Sequence, residues 1–156
     1  MPVLPQTRKG RFVHFQSAKF YEFVYFNNAK FLKYASFLGS EFHGEVTYFT
    51  DTRFRGDSGF GGTQFLRFAY FRDVLFKGNV YFKSANFNFD ADFRGTRFNK
   101  NLDLNGAKIN RLLLLNVQYG NESRILLKYT RYSLLDIDWI NAKEHIEYEY
   151  DGVYDW

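Results

Sequence analysis

A large apolar residue returns every five or six residues between Val13 and Val117, with a single step of seven from Phe42 to Phe49. The residue two positions before each is mostly small or β-branched. Such a pair suits an extended segment, because successive side chains of a strand point to opposite faces. A helix would need apolar returns at three and four residues, and those are absent. Self-similarity with one buried pair per unit predicts a solenoid.

Steps of five and six alternate because one extra residue follows every second unit. We interpret the extra residues as opposite corners, so that four faces and two extras make a coil of about 22 residues. The spacing leaves one alternative open, a flat two-sided coil of 11 residues. In the four-sided coil the large residues form four columns: Phe15, Phe37, Phe60, Phe82 and Leu104 on face one; Phe20, Phe42, Phe65, Phe87 and Ile109 on face two; Phe26, Phe49, Phe71, Phe93 and Leu115 on face three; Phe31, Phe54, Phe76 and Phe98 on face four.

Several units share one form: AKF at 18–20 and 29–31, ASF at 35–37, ANF at 85–87 and ADF at 91–93. They resemble the pentapeptide-repeat family, in its phenylalanine-rich form with an eleven-residue double repeat, over about two thirds of the chain. The resemblance implies an all-β solenoid, a right-handed, four-sided β-helix. Some members of that family imitate DNA with acidic rods. Residues 1–132 carry 20 Lys and Arg against 10 Asp and Glu, so we reject that role.

The chain divides into three parts. Residues 1–11 hold both prolines and are expected to be a disordered lead-in. The β-helix is predicted for 12–117. Residues 118–156 are expected to form a C-terminal cap of mixed or α structure, with a short helix over 139–150 that Asp138 caps and Gly152 follows.

Glycine, asparagine and aspartate recur at the predicted corners. We expect them to supply the positive φ that tight turns need. The glycines are Gly39, Gly44, Gly56, Gly62, Gly78, Gly95 and Gly106, and the others are Asp57, Asn79, Asp90 and Asn101.

Face four is the one strongly charged surface, because its units AKFLK, TRFRG, VLFKG and TRFNK contain no acid. We call its outward cations the basic face: Lys30, Lys33, Arg53, Arg55, Lys77, Arg97 and Lys100. Arg72 and Arg94 lie beside it on face three. A strip of one sign attracts anions and steers acidic partners. It is either a docking strip or a solvated surface kept soluble by like charge.

Tyr25, Tyr48 and Tyr70 share an outward position on face three. Such a ladder either stacks on a ligand's bases or stiffens the sheet by packing across coils. Packing is the interpretation that we favour.

The sequence offers no pattern typical of catalysis. His14, His43 and His145 lie on different faces or outside the repeat, and no carboxylate pair is placed for acid–base chemistry. We therefore expect no enzyme, no cofactor, no metal and no small-molecule substrate. The chain has no cysteine, which fits a reducing compartment, and we expect a cytoplasmic protein.

Two functional hypotheses follow. The first is a non-enzymatic scaffold or regulator that binds an unknown protein partner. The second is an electrostatic binder of nucleic acid or anionic membrane through the basic face. Homodimerisation through an end or a face of the rod stays open.

Overall fold

A computed structural model describes residues 12–147, and within that range nearly every element is a short parallel β-strand. The strands of face one, numbered in chain order, are β1 Val13–His14, β5 Ala35–Ser36, β9 Ser58–Gly59, β13 Val80–Tyr81, β16 Leu102–Asp103, β19 Ile125–Leu126 and β21 Ile146–Glu147. Faces two and three share a sheet: β2 Lys19–Phe20, β3 Val24–Tyr25, β6 Glu41–Phe42, β7 Val46–Tyr48, β10 Gln64–Phe65, β11 Phe68–Tyr70, β14 Asn86–Asp92, β17 Lys108–Leu114 and β20 Arg131–Ile137. Face four holds β4 Lys30–Phe31, β8 Arg53–Phe54, β12 Leu75–Phe76, β15 Arg97–Phe98 and β18 Gln118–Tyr119.

Strand register fixes the length of a coil. Val13 pairs with Ala35, and Ser58 pairs with Val80, so each coil takes 22 residues. Ala35 pairs with Ser58, which places the inserted residue in the coil between them. The predicted 22-residue coil is confirmed, and the alternative of 11 residues is wrong. Face one carries seven strands, so the chain makes about six turns between β1 and β21.

Phenylalanine rings stacked along the rod form the core. On face one the rings of Phe37 and Phe60 lie 4.8 Å apart and 1° from parallel, and on face three those of Phe49 and Phe71 lie 4.7 Å apart. Neighbouring columns meet edge to face, as Phe37 and Phe49 do at 5.4 Å and 89°. Both arrangements suit the charge distribution of an aromatic ring. Twelve of these side chains are less than 2% exposed, from Phe37 to Phe98.

One column assignment was wrong. The corner between faces two and three loses its extra residue in β17, so that Leu112 pairs with Ala91 and Leu113 with Asp92. Leu114 therefore continues the third column after Phe93 and is fully buried, whereas the predicted Leu115 is partly exposed. The coil is one residue shorter here than the spacing of the earlier units predicts.

Hydroxyl groups in the small inward column find partners inside the rod. Thr52 donates to the carbonyl oxygen of Phe26 at 2.7 Å, and Thr63 donates to that of Phe37 at 2.9 Å. These bonds reach into the preceding coil and satisfy polar groups that burial would otherwise penalise. Serine and threonine can therefore replace alanine or valine at these positions.

Corners of two kinds alternate around the coil. After faces one and three the chain turns through a residue with positive φ, such as Gly62 at 61°. Gly44, Gly56 and Gly78 follow faces two and four and do not have positive φ, so that expectation was wrong. A Cβ at Gly44 would overlap the backbone carbonyl oxygen of Glu22, so glycine is needed there for close approach between coils.

Asp57, Asn79, Asp90 and Asn101 do not have positive φ either. At the corner between faces four and one, Asp57 accepts a hydrogen bond from the backbone N–H of Asn79 at 2.8 Å, and Asn79 accepts one from that of Asn101 at 3.1 Å. Asn101 in turn accepts from the N–H of Arg124 at 3.0 Å. These side chains therefore form a hydrogen-bonded ladder that ties consecutive corners together.

Parallel pairing continues past residue 117. Tyr119 pairs with Phe98 on face four, and Leu126 pairs with Asp103 on face one. A helix, α1, spans Trp139–Ala142, and the Asp138 side chain makes no capping bond to it. The predicted lead-in over 1–11 and the predicted cap beyond 147, with Gly152, lie outside the described residues. Over residues 12–147 no helix has the length and apolar character that crossing a bilayer requires.

Replacement of a central ring tests the stacked core. Phe60→Ala should cost about 3–5 kcal/mol of unfolding free energy, because it opens a cavity between two stacked neighbours. Leu38→Ala is the control, since Leu38 is 52% exposed, and its cost should stay within about 0.5 kcal/mol. Urea unfolding followed by circular dichroism measures both. Similar losses for the two variants would contradict the proposed core.

The two kinds of corner differ in their response to alanine. Gly62→Ala should cost about 1–2 kcal/mol, because the site has open space and the strain is confined to the left-handed backbone. Gly44→Ala should cost more, since its Cβ would force two coils apart. Thermal unfolding of the two variants side by side gives the order, and a milder effect at Gly44 would show that the coils approach less closely there.

Candidate functional site

Titratable groups with displaced pKa values lie in ion pairs rather than around a reaction centre. Hydrogen bonds from His43 and Lys19 lower the pKa of Glu41, which His43 contacts at 2.8 Å. His145 lies at the far end of the rod and donates through Nδ1 to the carbonyl oxygen of Ser123 at 2.9 Å. Among residues 12–147 no group of three or more His, Cys, Asp or Glu side chains could hold a metal ion.

The structure brings all the residues of the basic face to face four, in three adjacent columns. Lys30, Arg53 and Arg97 occupy one register column, in which Leu75 stands between the two arginines. Each lies directly before a buried ring, so its side chain must point outward.

The remaining cations follow the rings. Arg55 and Lys77 come one residue after Phe54 and Phe76, and Lys33 and Lys100 come two residues after their rings. The side chains of the basic face are all exposed. The face is therefore a flat, positively charged sheet surface.

Cations on the other faces are largely paired with carboxylates. Lys19 lies 3.3 Å from Glu41, and Lys83 lies 3.4 Å from Asp103. Arg111 contacts Asp90 through two nitrogens. No ion pair of the described residues includes a member of the basic face. The charge of the basic face is thus available to a partner.

A shallow groove of about 540 Å³ runs along one edge of the basic face. One wall consists of Lys30, Arg53 and Arg97, and the other carries Asp51 and Asp73. The two aspartates lie on the positive-φ turns that follow face three, with φ of 58° and 54°. We had not singled them out from the sequence, although they stand 22 residues apart and two residues after the rings of face three.

Arg72 and Arg94 do not extend the basic face, because both bind Asp92. Asp92 is fully buried, and Arg94 contacts its Oδ2 at 2.8 Å. Burial would raise the pKa of Asp92, but hydrogen bonds from Arg94 and Arg72 outweigh it and hold the pKa below its ordinary value. The hydrogen bond with Asp92 raises the pKa of Arg94 in turn. These three residues form a structural ion-pair cluster.

The tyrosine ladder packs against itself. The rings of Tyr25 and Tyr48 stack at 5.1 Å and 5°, and Tyr70 meets Tyr48 at 5.5 Å and 65°. The guanidinium of Arg72 lies 4.5 Å from the centre of the Tyr70 ring. Neighbours along the rod thus cover most ring faces, which leaves mainly edges for a ligand. This geometry favours packing over base stacking.

The Asp92 cluster predicts a pH-dependent contribution to stability. Asp92→Asn should cost about 1–3 kcal/mol of unfolding free energy at neutral pH, because it weakens charge-assisted bonds of a buried group. Since the folded-state pKa of Asp92 is lowered, this contribution is present above the unfolded pKa of about 4 and is lost as pH falls through the folded pKa. Unfolding by urea at pH 7, 4 and 3 should show the two proteins converging as pH falls. A gap that widens in acid would contradict this assignment.

Comparison with known proteins agrees with the fold. The family model described as pentapeptide repeats, in nine copies, matches residues 45–85 and 60–108. No curated protein and no solved structure gives a significant match. The matched region holds four of the coils with stacked rings, and the same 22-residue register extends on both sides of it. The chain therefore belongs to the pentapeptide-repeat family and is a phenylalanine-rich member of it.

Proposed function

We propose that this solenoid is a non-catalytic docking protein whose basic face binds an acidic protein partner. The observation that carries the proposal is the concentration of seven exposed cations on one flat face, outside every ion pair of the described residues. Carboxylates neutralise many of the cations on the other faces. An uncompensated face of one sign costs self-repulsion, which an acidic partner would relieve.

The non-catalytic part of the proposal is supported by the location of the perturbed groups. Glu41, Asp92, Arg94 and Arg111 have displaced pKa values, and each lies in an ion pair that joins neighbouring coils or positions. None of these pairs lines the groove beside the basic face. Structural ion pairs perturb pKa values as catalytic sites do, and the placement here is typical of the structural kind.

Nucleic acid or an anionic membrane is the second candidate, because phosphates also seek a positive surface. Two features of the site weigh against it. Asp51 and Asp73 line the edge of the basic face and would repel a phosphate backbone. The face is also flat, whereas sequence readout needs elements that enter a groove.

Location and self-association complete the proposal. We place the protein in the cytoplasm, because a chain without cysteine fits a reducing compartment. A second copy of the chain is not the partner that we propose for the basic face, since two such faces would repel one another.

Charge reversal on the basic face tests this function. A fluorescent oligoglutamate should bind the protein, and Arg53→Glu/Arg97→Glu should weaken that binding by at least about tenfold. Affinity should fall as salt rises from 50 to 300 mM, because the charges are exposed and screened. The matched control is Lys108→Glu/Arg131→Glu, a register pair of exposed cations on face two, which should leave the affinity within about twofold.

A DNA duplex under the same conditions separates the two candidates. Tighter binding of the duplex than of oligoglutamate, with a steep linear dependence on log salt, would favour the second candidate. Equal losses for the face-four and face-two variants would remove the basic face as the docking surface.

A further inference from the structure

The groove beside the basic face has walls of opposite charge that run in parallel along the rod. Lys30, Arg53 and Arg97 line one wall, and Asp51 and Asp73 line the other. No ion pair of the described residues joins the two walls. A partner that fits this groove must offer negative charge along one flank and positive charge along the other.

The opposite walls are built by the fold rather than by flexible side chains alone. The turn at Asp73 has positive φ, and the Asp73 carboxylate lies over Gly95 in the next coil, in space that a Cβ would occupy. Arg53 and Arg97 precede buried rings of face four, which fixes the direction of their side chains. The separation of the two charges therefore repeats from coil to coil.

The spacing of the charges suits a helix. The rings beneath this wall, from Phe31 through Phe54 and Phe76 to Phe98, are separated by 4.7, 4.9 and 5.4 Å, so charges on successive coils rise by about 5 Å. Same-side residues of an α-helix rise by about 5.4 Å per turn, and over three turns the two repeats differ by only about 1 Å. Same-side residues of an extended strand rise by about 6.6–6.8 Å and fall out of step within two coils.

The centre of the cationic wall is apolar. Leu75 replaces the cation between Arg53 and Arg97, is partly exposed, and lines the groove with the buried Val74. A partner helix would place an apolar side chain there, since a charge would lose water without gaining a partner.

We propose that this groove binds an α-helix that lies along the rod axis. Its acidic flank contacts Lys30, Arg53 and Arg97, its basic flank contacts Asp51 and Asp73, and an apolar residue covers Leu75. This inference rests on the proposed function of the basic face and names the kind of protein segment that docks there. The groove extends from Lys30 to Gln118, four steps of about 5 Å, which a helix of about 14 residues would span.

The test uses three peptide probes on the full chain. The first is a helical 15-residue peptide with glutamates at steps of three and four residues on one flank, lysines on the other and leucine between them. The second has the same composition and helicity with the charges scrambled. The third is oligoglutamate. Calorimetry or fluorescence anisotropy measures affinity for the wild type, Arg53→Glu/Arg97→Glu, Asp51→Asn/Asp73→Asn and the face-two control Lys108→Glu/Arg131→Glu.

The inference expects the patterned peptide to bind at least about tenfold more tightly than the scrambled one. Asp51→Asn/Asp73→Asn should weaken binding of the patterned peptide and strengthen that of oligoglutamate, because the carboxylates attract one probe and repel the other. A merely basic surface would show the second change without the first. Circular dichroism and thermal unfolding confirm that each variant is folded before binding is measured.

Two results would overturn the inference: equal affinity for patterned and scrambled peptides, or no loss of patterned-peptide affinity in the aspartate variant. If oligoglutamate binding still depends on Arg53 and Arg97 in that case, the proposed function survives and only the helix is wrong. If none of the probes responds to the arginine reversals, the proposed function fails as well.

Discussion

The rod depends on the agreement between two distances. Neighbouring parallel strands lie about 4.7–4.9 Å apart, and offset aromatic rings are attracted from about 4.5 Å upward. The stacked rings are separated by 4.6 Å at Phe65 and Phe87 and by 4.8 Å at Phe37 and Phe60, so hydrogen bonding and ring stacking are satisfied together. A coil that kept its rings but lost its strand pairing would gain little, and the reverse also holds. Each coil therefore derives its stability from its neighbours, as in other linear repeat folds.

Much of this architecture could be predicted from spacing alone, because the inward positions carry a strong signal. The columns failed at Arg111–Leu115, where four consecutive leucines hide which residue points inward. The missing corner residue shifts the column to Leu114, and only strand register reveals it. The corner glycines failed for another reason. Positive φ and close approach between coils both select glycine, and the sequence does not distinguish them at Gly44 or Gly78.

The candidate site was predictable in part. The coil length places Lys30, Arg53 and Arg97 in one column, so the basic face could be derived before any coordinates. Its boundary could not. Arg72 and Arg94 have the same sequence character, yet they bind the buried Asp92, which depends on the contact between adjacent coils. Asp51 and Asp73 looked like ordinary turn residues, and their importance comes from the groove they share with the arginines.

The division between buried and outward positions has an evolutionary consequence. Every outward column receives one side chain per coil, and a substitution there leaves the ring stack behind it in place. Leu75 shows this, since it interrupts a row of cations while Phe76 keeps its stacking at 4.9 Å from Phe54. Binding specificity can therefore drift one coil at a time at little expense in foldability. Descendants of such a rod would preserve its interior while diverging in the molecules they recognise.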